Sequence, residues 1–406
     1  MSEGCKKRLL MGVPFVPYPP KSGGKIRVYE ALRHLSRYYR ISLIAVKDTL
    51  QPSNDPRSLQ EFCEQICILP APKFLPFKLH HLRDFFGRFP GSLVVHSPGL
   101  VQKAMAWASE EPFDILQMEF SPLAHYGFKL PARIKLLTLH YLAEEAYGGY
   151  TEQLGKGIKK CYFQREMRKV AAYELNLAKQ YDHVFLTSPW HSIFLQKSIP
   201  LSQISIIPNG VDTEYFKTVK RESREPLFLF IGSLHVNPAN QEALLITLSK
   251  LFPEIKRHLP NAQLCVIGAG LPEYIRKVYS RPDIQFLGEV DDVRPYFALA
   301  VAVLLPMISG SGTKLRIPTA MAAGRVIITT EVGLAGFDLT NGKHILLEND
   351  IETMAIHAVR LYHDDPWRES IEKEARQFAV DHFDWQHIFD SQKTIYDGLM
   401  AHRSNL

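Results

Sequence analysis

Val301-Ala-Val-Leu-Leu305, Ser309-Gly-Ser-Gly-Thr-Lys-Leu-Arg-Ile317 and Ala320-Met-Ala-Ala-Gly324 follow one another in the second half of this chain. The first is an apolar run of strand length, the second a turn of small residues, and the third lies in a helical segment. A strand that feeds a short turn and then a helix is the unit of a parallel α/β sheet, and ligand loops sit at that junction. The turn suits a phosphate. Glycines leave amides open, the start of a helix carries the positive end of its dipole, and hydroxyls and Lys314 add further donors. A purely structural loop is the alternative reading. The G-x-x-x-x-G-K-[ST] spacing is not met, which argues against nucleoside triphosphate hydrolysis and for a bound diphosphate.

The same alternation extends outward in both directions. Strand signals at Leu227–Ile231, Gln263–Ile267, Ile284–Phe286 and Val326–Thr329 surround the turn, with a helix predicted over Gln241–Arg257. The first half repeats the pattern: strands at Arg8–Val13, Ile41–Val46, Ile115–Gln117, Ile134–Leu139 and Val184–Ser188, and helices over Ile26–Arg37 and Gly157–Lys179. This predicts an α/β protein with two parallel sheets. A chain of 406 residues accommodates two domains of about 200 residues each. Ile206-Ile-Pro-Asn-Gly-Val-Asp212 punctuates the chain as a linker, dividing it into domains 1–212 and 213–385. A last helix, about 386–406, follows Phe383-Asp-Trp385.

Composition narrows the function classes. The chain is 46% apolar and 22% charged, as in globular proteins. Five scattered cysteines without a Cys-x-x-Cys pair argue against a disulfide framework or a zinc site and for a reducing compartment. No apolar stretch reaches membrane-spanning length, and the opening segment is a poor signal peptide. A cytoplasmic protein is expected. Residues 1–212 hold 27 lysines and arginines against 18 acidic residues, and the remainder 21 against 24. A basic first half suits an anionic partner such as lipid headgroups, a phosphorylated acceptor or nucleic acid; solvated surface charge is the alternative. Lys73–Arg88 interleaves bases with aromatics and reads either as a membrane-interface segment or as a loop and helix packed on its own domain.

Other polar residues stand where a sheet would present them to a ligand. Pro19-Pro-Lys-Ser-Gly-Gly-Lys-Ile-Arg27 follows the first strand, and its Gly23 and Gly24 let the main chain approach a ligand or simply serve a turn. Glu119 and His140 end the strands through Ile115 and Ile134, which aims them at the binding crevice. Val266-Ile-Gly-Ala-Gly-Leu-Pro-Glu273 opens like a dinucleotide fingerprint but has Glu273 at the third glycine, which disfavours hydride transfer with a nicotinamide cofactor. No histidine has metal-ligand spacing, so no metal is expected.

The ordered set resembles the GT-B glycosyltransferases, in particular glycosyltransferase family 4 (glycosyl transferases group 1). The matching pieces are Pro-Pro-x-Ser-Gly-Gly-Lys-Ile-Arg, Ile-Pro-Asn-Gly-Val-Asp, Phe-Ile-Gly-Ser-Leu (230–234), Phe-Leu-Gly-Glu-Val-Asp-Asp-Val-Arg (286–294), and Gly-Ser-Gly-Thr-Lys-Leu-Arg-Ile with Ala-Met-Ala-Ala-Gly (320–324). The resemblance implies two Rossmann-like domains facing a central cleft, with the last helix packed back on the first domain. It further implies retaining transfer of a sugar from a nucleotide sugar, without a metal or other cofactor, to a glycan, lipid-linked or other small acceptor. No nucleic acid is expected, and peripheral contact with an anionic membrane at its inner face fits the basic half.

By matching position, Gly23 and Gly24 line the donor's phosphates and sugar, and His140 contacts the sugar near the reacting centre; Glu119, from its place at the end of a strand, is a further catalytic candidate. Gly312, Thr313 and Lys314 hold the diphosphate, Lys314 stabilising the departing charge, and Gly232, Gly310, Ser311 and Arg316 complete the donor-binding set. Main chain around Glu289 and Val290 meets the base. The family's two glutamates, eight positions apart, are replaced by Ser311 and Thr319, the latter where the ribose binds. Ser233-Leu-His235 replaces a frequent basic residue, leaving His235, or Lys314 and Arg316, to serve the phosphates. The Thr319 departure admits an alternative, a nucleotide-sugar-binding GT-B protein without catalysis. An epimerase or phosphorylase on a similar frame is the remaining reading.

Overall fold

The computed structural model describes residues 6–47, 56–70, 99–142, 157–217, 219, 225–234, 238–310 and 312–404. Three of the residues and segments singled out above, Lys73–Arg88, His235 and Ser311, lie outside them. The chain forms two compact units, one of Met1–Pro208 with Ile388–Leu406, the other of Asn209–His387.

The first unit holds a seven-stranded parallel sheet. Its strands are β1 (Arg8–Val13), β2 (Arg40–Val46), β3 (Gln65–Leu69), β4 (Phe113–Glu119), β5 (Ala132–Leu139), β6 (His183–Leu186) and β7 (Ile204–Ile206), in the order β3-β2-β1-β4-β5-β6-β7. Central strands such as β1 and β6 are buried along their whole length. Burial on both faces is why they read as continuous apolar runs rather than alternating ones. The strand order reverses between β1 and β4, and open α/β sheets bind ligands at such a switch point.

Helices cover the faces of this sheet. The long helix spans Ile158–Ala178, and the last one spans Trp385–Ser404. Phe389, Tyr396 and Met400 of the last helix are buried within the first unit. The Tyr396 ring meets those of Tyr39 and Phe185 edge-on or tilted, with centroids 5.6 and 5.9 Å apart.

The second unit holds a six-stranded parallel sheet: β8 (Leu227–Ile231), β9 (Gln263–Ile267), β10 (Ile284–Gly288), β11 (Ala300–Leu305), β12 (Val326–Thr329) and β13 (Leu346–Leu347). Its order, β10-β9-β8-β11-β12-β13, reverses between β8 and β11. The helix predicted over Gln241–Arg257 is present as Pro238–Ile246 and Phe252–His258, joined by a π turn at Thr247–Leu251. Pro253 accounts for the irregularity, since it offers no N–H to the preceding turn and its ring crowds the carbonyl there. Among the described residues no helix is long and apolar enough to cross a membrane.

Candidate functional site

At the switch point of the first unit, β4 ends on Glu119 and β5 runs into His140. Both are buried, and His140 Nε2 lies 2.6 Å from Glu119 Oε2. Glu119 Oε1 accepts from the Gln117 amide and, at 3.0 Å, from the Thr138 hydroxyl. Burial pushes the Glu119 carboxyl upward, but the hydrogen bond and charge of His140, the charge of Arg27 and the bond from Gln117 outweigh it and hold the group below its ordinary range. Burial lowers His140, against the pull of Glu119 and with the help of Arg27. The pair is therefore a carboxylate and a neutral imidazole. A carboxylate only accepts, so Nε2 carries the proton and Nδ1 presents its lone pair.

Phe120 shapes the other side of this pair. Its ring stacks on the His140 ring, with centroids 3.6 Å apart and planes 6° from parallel, and meets Phe15 edge-on at 5.2 Å. The backbone of Phe120 has φ 68°, a conformation that costs a non-glycine residue on the order of 1–3 kcal/mol and recurs at functional sites. Its amide donates to Thr138 O at 2.9 Å, which holds the turn in place.

The loop expected at Gly23 and Gly24 is corrected by the structure: both residues form the first turn of the helix Gly23–Leu35. The glycine at 24 answers a crowding need instead, since a Cβ there would lie 2.8 Å from the Phe120 ring. As first-turn residues, their amides have no acceptor within the helix. Arg27, one turn on and fully buried, donates to Ile207 O at 2.8 Å and Pro208 O at 2.6 Å, and burial lowers its pKa to about 10.

In the second unit the loop after β11 leads to the helix Arg316–Ala322. Gly310 and Gly312 adopt φ of 109° and 69°, angles that favour glycine and make the turn so tight. The turn is tied down at several points. Ser309 Oγ donates to Glu242 at 2.5 Å, Asn209 Nδ2 to Thr313 Oγ1 at 2.7 Å, and Lys314 Nζ to Val332 O at 2.9 Å and Gly310 O at 3.3 Å. Thr319 donates its hydroxyl to Leu315 O at 2.8 Å, one helical turn back.

Arg316 reaches from this helix to the loop after β8. Its Nη1 is 2.9 Å from where a Cβ on Gly232 would stand, so any larger residue there would make the guanidinium shift. Nη2 donates to Asn240, whose own amide donates to Ser233 O at 2.7 Å. Nη1 is enclosed without a hydrogen bond, and among the described residues no carboxylate pairs with the guanidinium. Loss of water lowers its pKa to about 10. Glu289 and Val290 follow β10, Glu289 exposed and Val290 packed partly on the core. Beside them Asp292 is pushed down to about 2, chiefly by hydrogen bonds from Arg294. Among the described residues no group of histidine, cysteine and carboxylate side chains could hold a metal.

Each sheet thus places a polar cluster at its switch point. The structure joins Glu119 to His140 in one cluster with Gly24, and Gly232, Gly310, Gly312, Thr313, Lys314, Arg316 and Thr319 in the other. Sequence reasoning missed Gln117, Phe120, Arg27 and Asn240. The alternation of β4 marks Gln117 as a polar residue inside an apolar strand; the others carry no local signal.

Two units, each a parallel α/β sheet that reverses its strand order once, are the architecture of the GT-B glycosyltransferases. Two family models match the chain: "Glycosyltransferase Family 4" over residues 21–215 and "Glycosyl transferases group 1" over residues 225–364. The chain is a GT-B glycosyltransferase resembling family 4. It is 22% identical over 386 residues to an uncharacterized 44.6 kDa protein in the cps region of Klebsiella pneumoniae, covering 92% of this chain and 96% of that protein. Among solved structures it is similar to sucrose-phosphate synthase from Thermosynechococcus elongatus, with a TM-score of 0.71 at 17% identity over 98% of this chain and 100% of that one. Anabaena HepE in complex with UDP-glucose gives a TM-score of 0.65 at 14% identity over 98% and 100% of the two chains. WaaG, a glycosyltransferase involved in lipopolysaccharide biosynthesis, gives 0.63 at 16% identity over 96% and 100%.

Proposed function

We propose that this glycosyltransferase takes a sugar from a nucleoside diphosphate donor and passes it, with retention at the anomeric carbon, to a glycan or lipid-linked acceptor. The carrying observation is Arg316, a guanidinium withdrawn from water with no carboxylate partner among the described residues. Such a group gains most from a phosphate, which takes its forked N–H donors directly. The amides of Gly312 and Thr313 and the amine of Lys314 line the same turn. Together they would stabilise the charge that grows on the departing diphosphate. Glu289 and Val290 would meet the base, and Thr319 one ribose hydroxyl.

His140 supports the sugar side of the reading. Its Nδ1 lone pair would accept from a sugar hydroxyl while Glu119 holds the opposite edge of the ring, and the first-turn amides at Gly23 and Gly24 would face the donor's phosphates and sugar. In a same-face transfer the leaving phosphate can itself take the acceptor's proton, so no side chain is needed as base and no metal enters the scheme. HepE has been captured with UDP and with UDP-glucose, which makes uridine donors the first to try. The cps-region relative, WaaG and the basic first half favour an anionic glycan or lipid-linked acceptor. This reading places the protein in the cytoplasm, with peripheral contact at the inner face of an anionic membrane and no nucleic-acid partner.

The test is a screen of UDP-, GDP-, dTDP- and ADP-sugars against a panel of glycan and lipid-linked acceptors, read by nucleoside diphosphate release. The anomeric coupling of the product is then measured by proton NMR. An α-linked product from an α-linked donor is expected. A β-linked product would overturn retention.

A further inference from the structure

Glu119 is held from a direction other than His140. Because a carboxylate only accepts, Gln117 must turn its Nε2 toward Glu119 and its Oε1 away. That Oε1 accepts from Gln392 Nε2 at 3.1 Å, and the same Nε2 donates to the Tyr396 hydroxyl at 2.6 Å. Gln117, Gln392, Tyr396 and Glu119 are all at most 2% exposed. The donor-to-acceptor sense is thus fixed along the row from the last helix to the carboxylate. Gln392 orients Gln117, Gln117 orients Glu119, and Glu119 orients the imidazole.

We propose that Gln392, on the last helix and 252 positions from His140 in the sequence, is a positioning residue that sets the orientation and proton affinity of His140 through Gln117 and Glu119. The proposal rests on the reading of His140 as the sugar-facing group. A row of buried amides costs more than an apolar filling of the same volume unless each member is satisfied, and this one is satisfied in a single orientation. Thr138 adds a second hold on the carboxylate from β5, and Phe120 fixes the plane of the imidazole. Among the described residues, the charged or titratable groups facing the pair are Arg27 from the helix Gly23–Leu35 and Tyr396 from the last helix.

Removing the Gln392 donor frees Gln117 to turn and loosens its bond to Glu119. The carboxylate then becomes a stronger acceptor for His140 and favours its protonation. Long-range nitrogen–proton NMR of the full chain labelled at histidine reads both the tautomer and the titration of His140, its signal assigned by its loss in His140→Gln. Wild type should show the Nε2–H tautomer. In Gln392→Leu the His140 midpoint should move upward. Gln117→Leu should move it likewise, and the double variant should move it no further than Gln117→Leu alone, since the two act in series. Gln392→Met, nearly isosteric, repeats the test should the leucine variant not fold.

With a donor and acceptor identified by the screen above, kcat in Gln392→Met should fall about three- to ten-fold with donor KM unchanged, the worth of one neutral hydrogen bond. An unchanged His140 midpoint in a folded Gln392 variant overturns the proposal. Unchanged turnover in His140→Gln overturns instead the reading of His140 on which it rests, and the NMR result separates the two.

Discussion

Glu119 and His140 are both withdrawn from water, and the balance of their surroundings keeps the acid charged and the base neutral. That balance has a sign on the pH axis. A histidine whose folded pKa is lowered gives stability that is present above its unfolded value of about 6.5 and declines as pH falls toward the folded one. A carboxylate with a lowered folded pKa likewise gives stability that is present above its unfolded value and is lost as pH falls through the folded one. Both therefore work in the same direction. The thermal midpoint of the wild type should fall as pH is lowered from 7 to 5, and fall less in His140→Gln, as calorimetry would show; equal falls would contradict the neutral imidazole. Glu119 and His140 were individually readable as polar residues closing apolar strands. Their pairing was not, because it depends on the register of two neighbouring strands, and neither were Phe120 or Gln392, which meet the site only through distant contacts. The Gly-Gly pair signals backbone freedom in the sequence, whereas the demand on Gly24 is space beside the Phe120 ring.

At the scale of elements, legibility follows burial. β1, β8, β9 and β12 match the predicted spans residue for residue because central parallel strands are apolar throughout. β3 and β13 were missed. They lie at sheet edges and bury only part of their surface, and β13 is two residues long, so neither period nor composition announces them. The last helix was legible as a helix, while its part in the site was not, since Gln392 looks like any polar residue on an amphipathic segment. Its energetic weight is large. Ile388, Phe389, Tyr396 and Met400 are nearly fully buried, and at about 1.5–3 kcal/mol each their burial is comparable to the whole stability of a domain. Truncation after His387 should therefore abolish cooperative unfolding of the first unit while the second retains its own transition, with hydrogen exchange telling the two apart. Retained protection of β1 and β4 would contradict this weight.

On the scale of the whole molecule, two sheets of the same construction each reverse strand order once, and each gathers its polar residues at the reversal. This organisation was readable because the motifs occur in a fixed order along nearly all of the chain, and order survives where individual motifs have drifted. The drift at Thr319 is now set beside Arg316, which reaches the glycine after β8 where the basic residue frequent in the family is absent. Calorimetric titration of UDP, GDP, dTDP and ADP into the wild type and Arg316→Leu tests this arrangement most directly. The account predicts that the nucleotide bound most tightly loses about ten-fold or more in affinity, as expected for a charge-assisted hydrogen bond of about 1.5–3 kcal/mol, in a variant that stays folded. Equal affinity in the two proteins would contradict it.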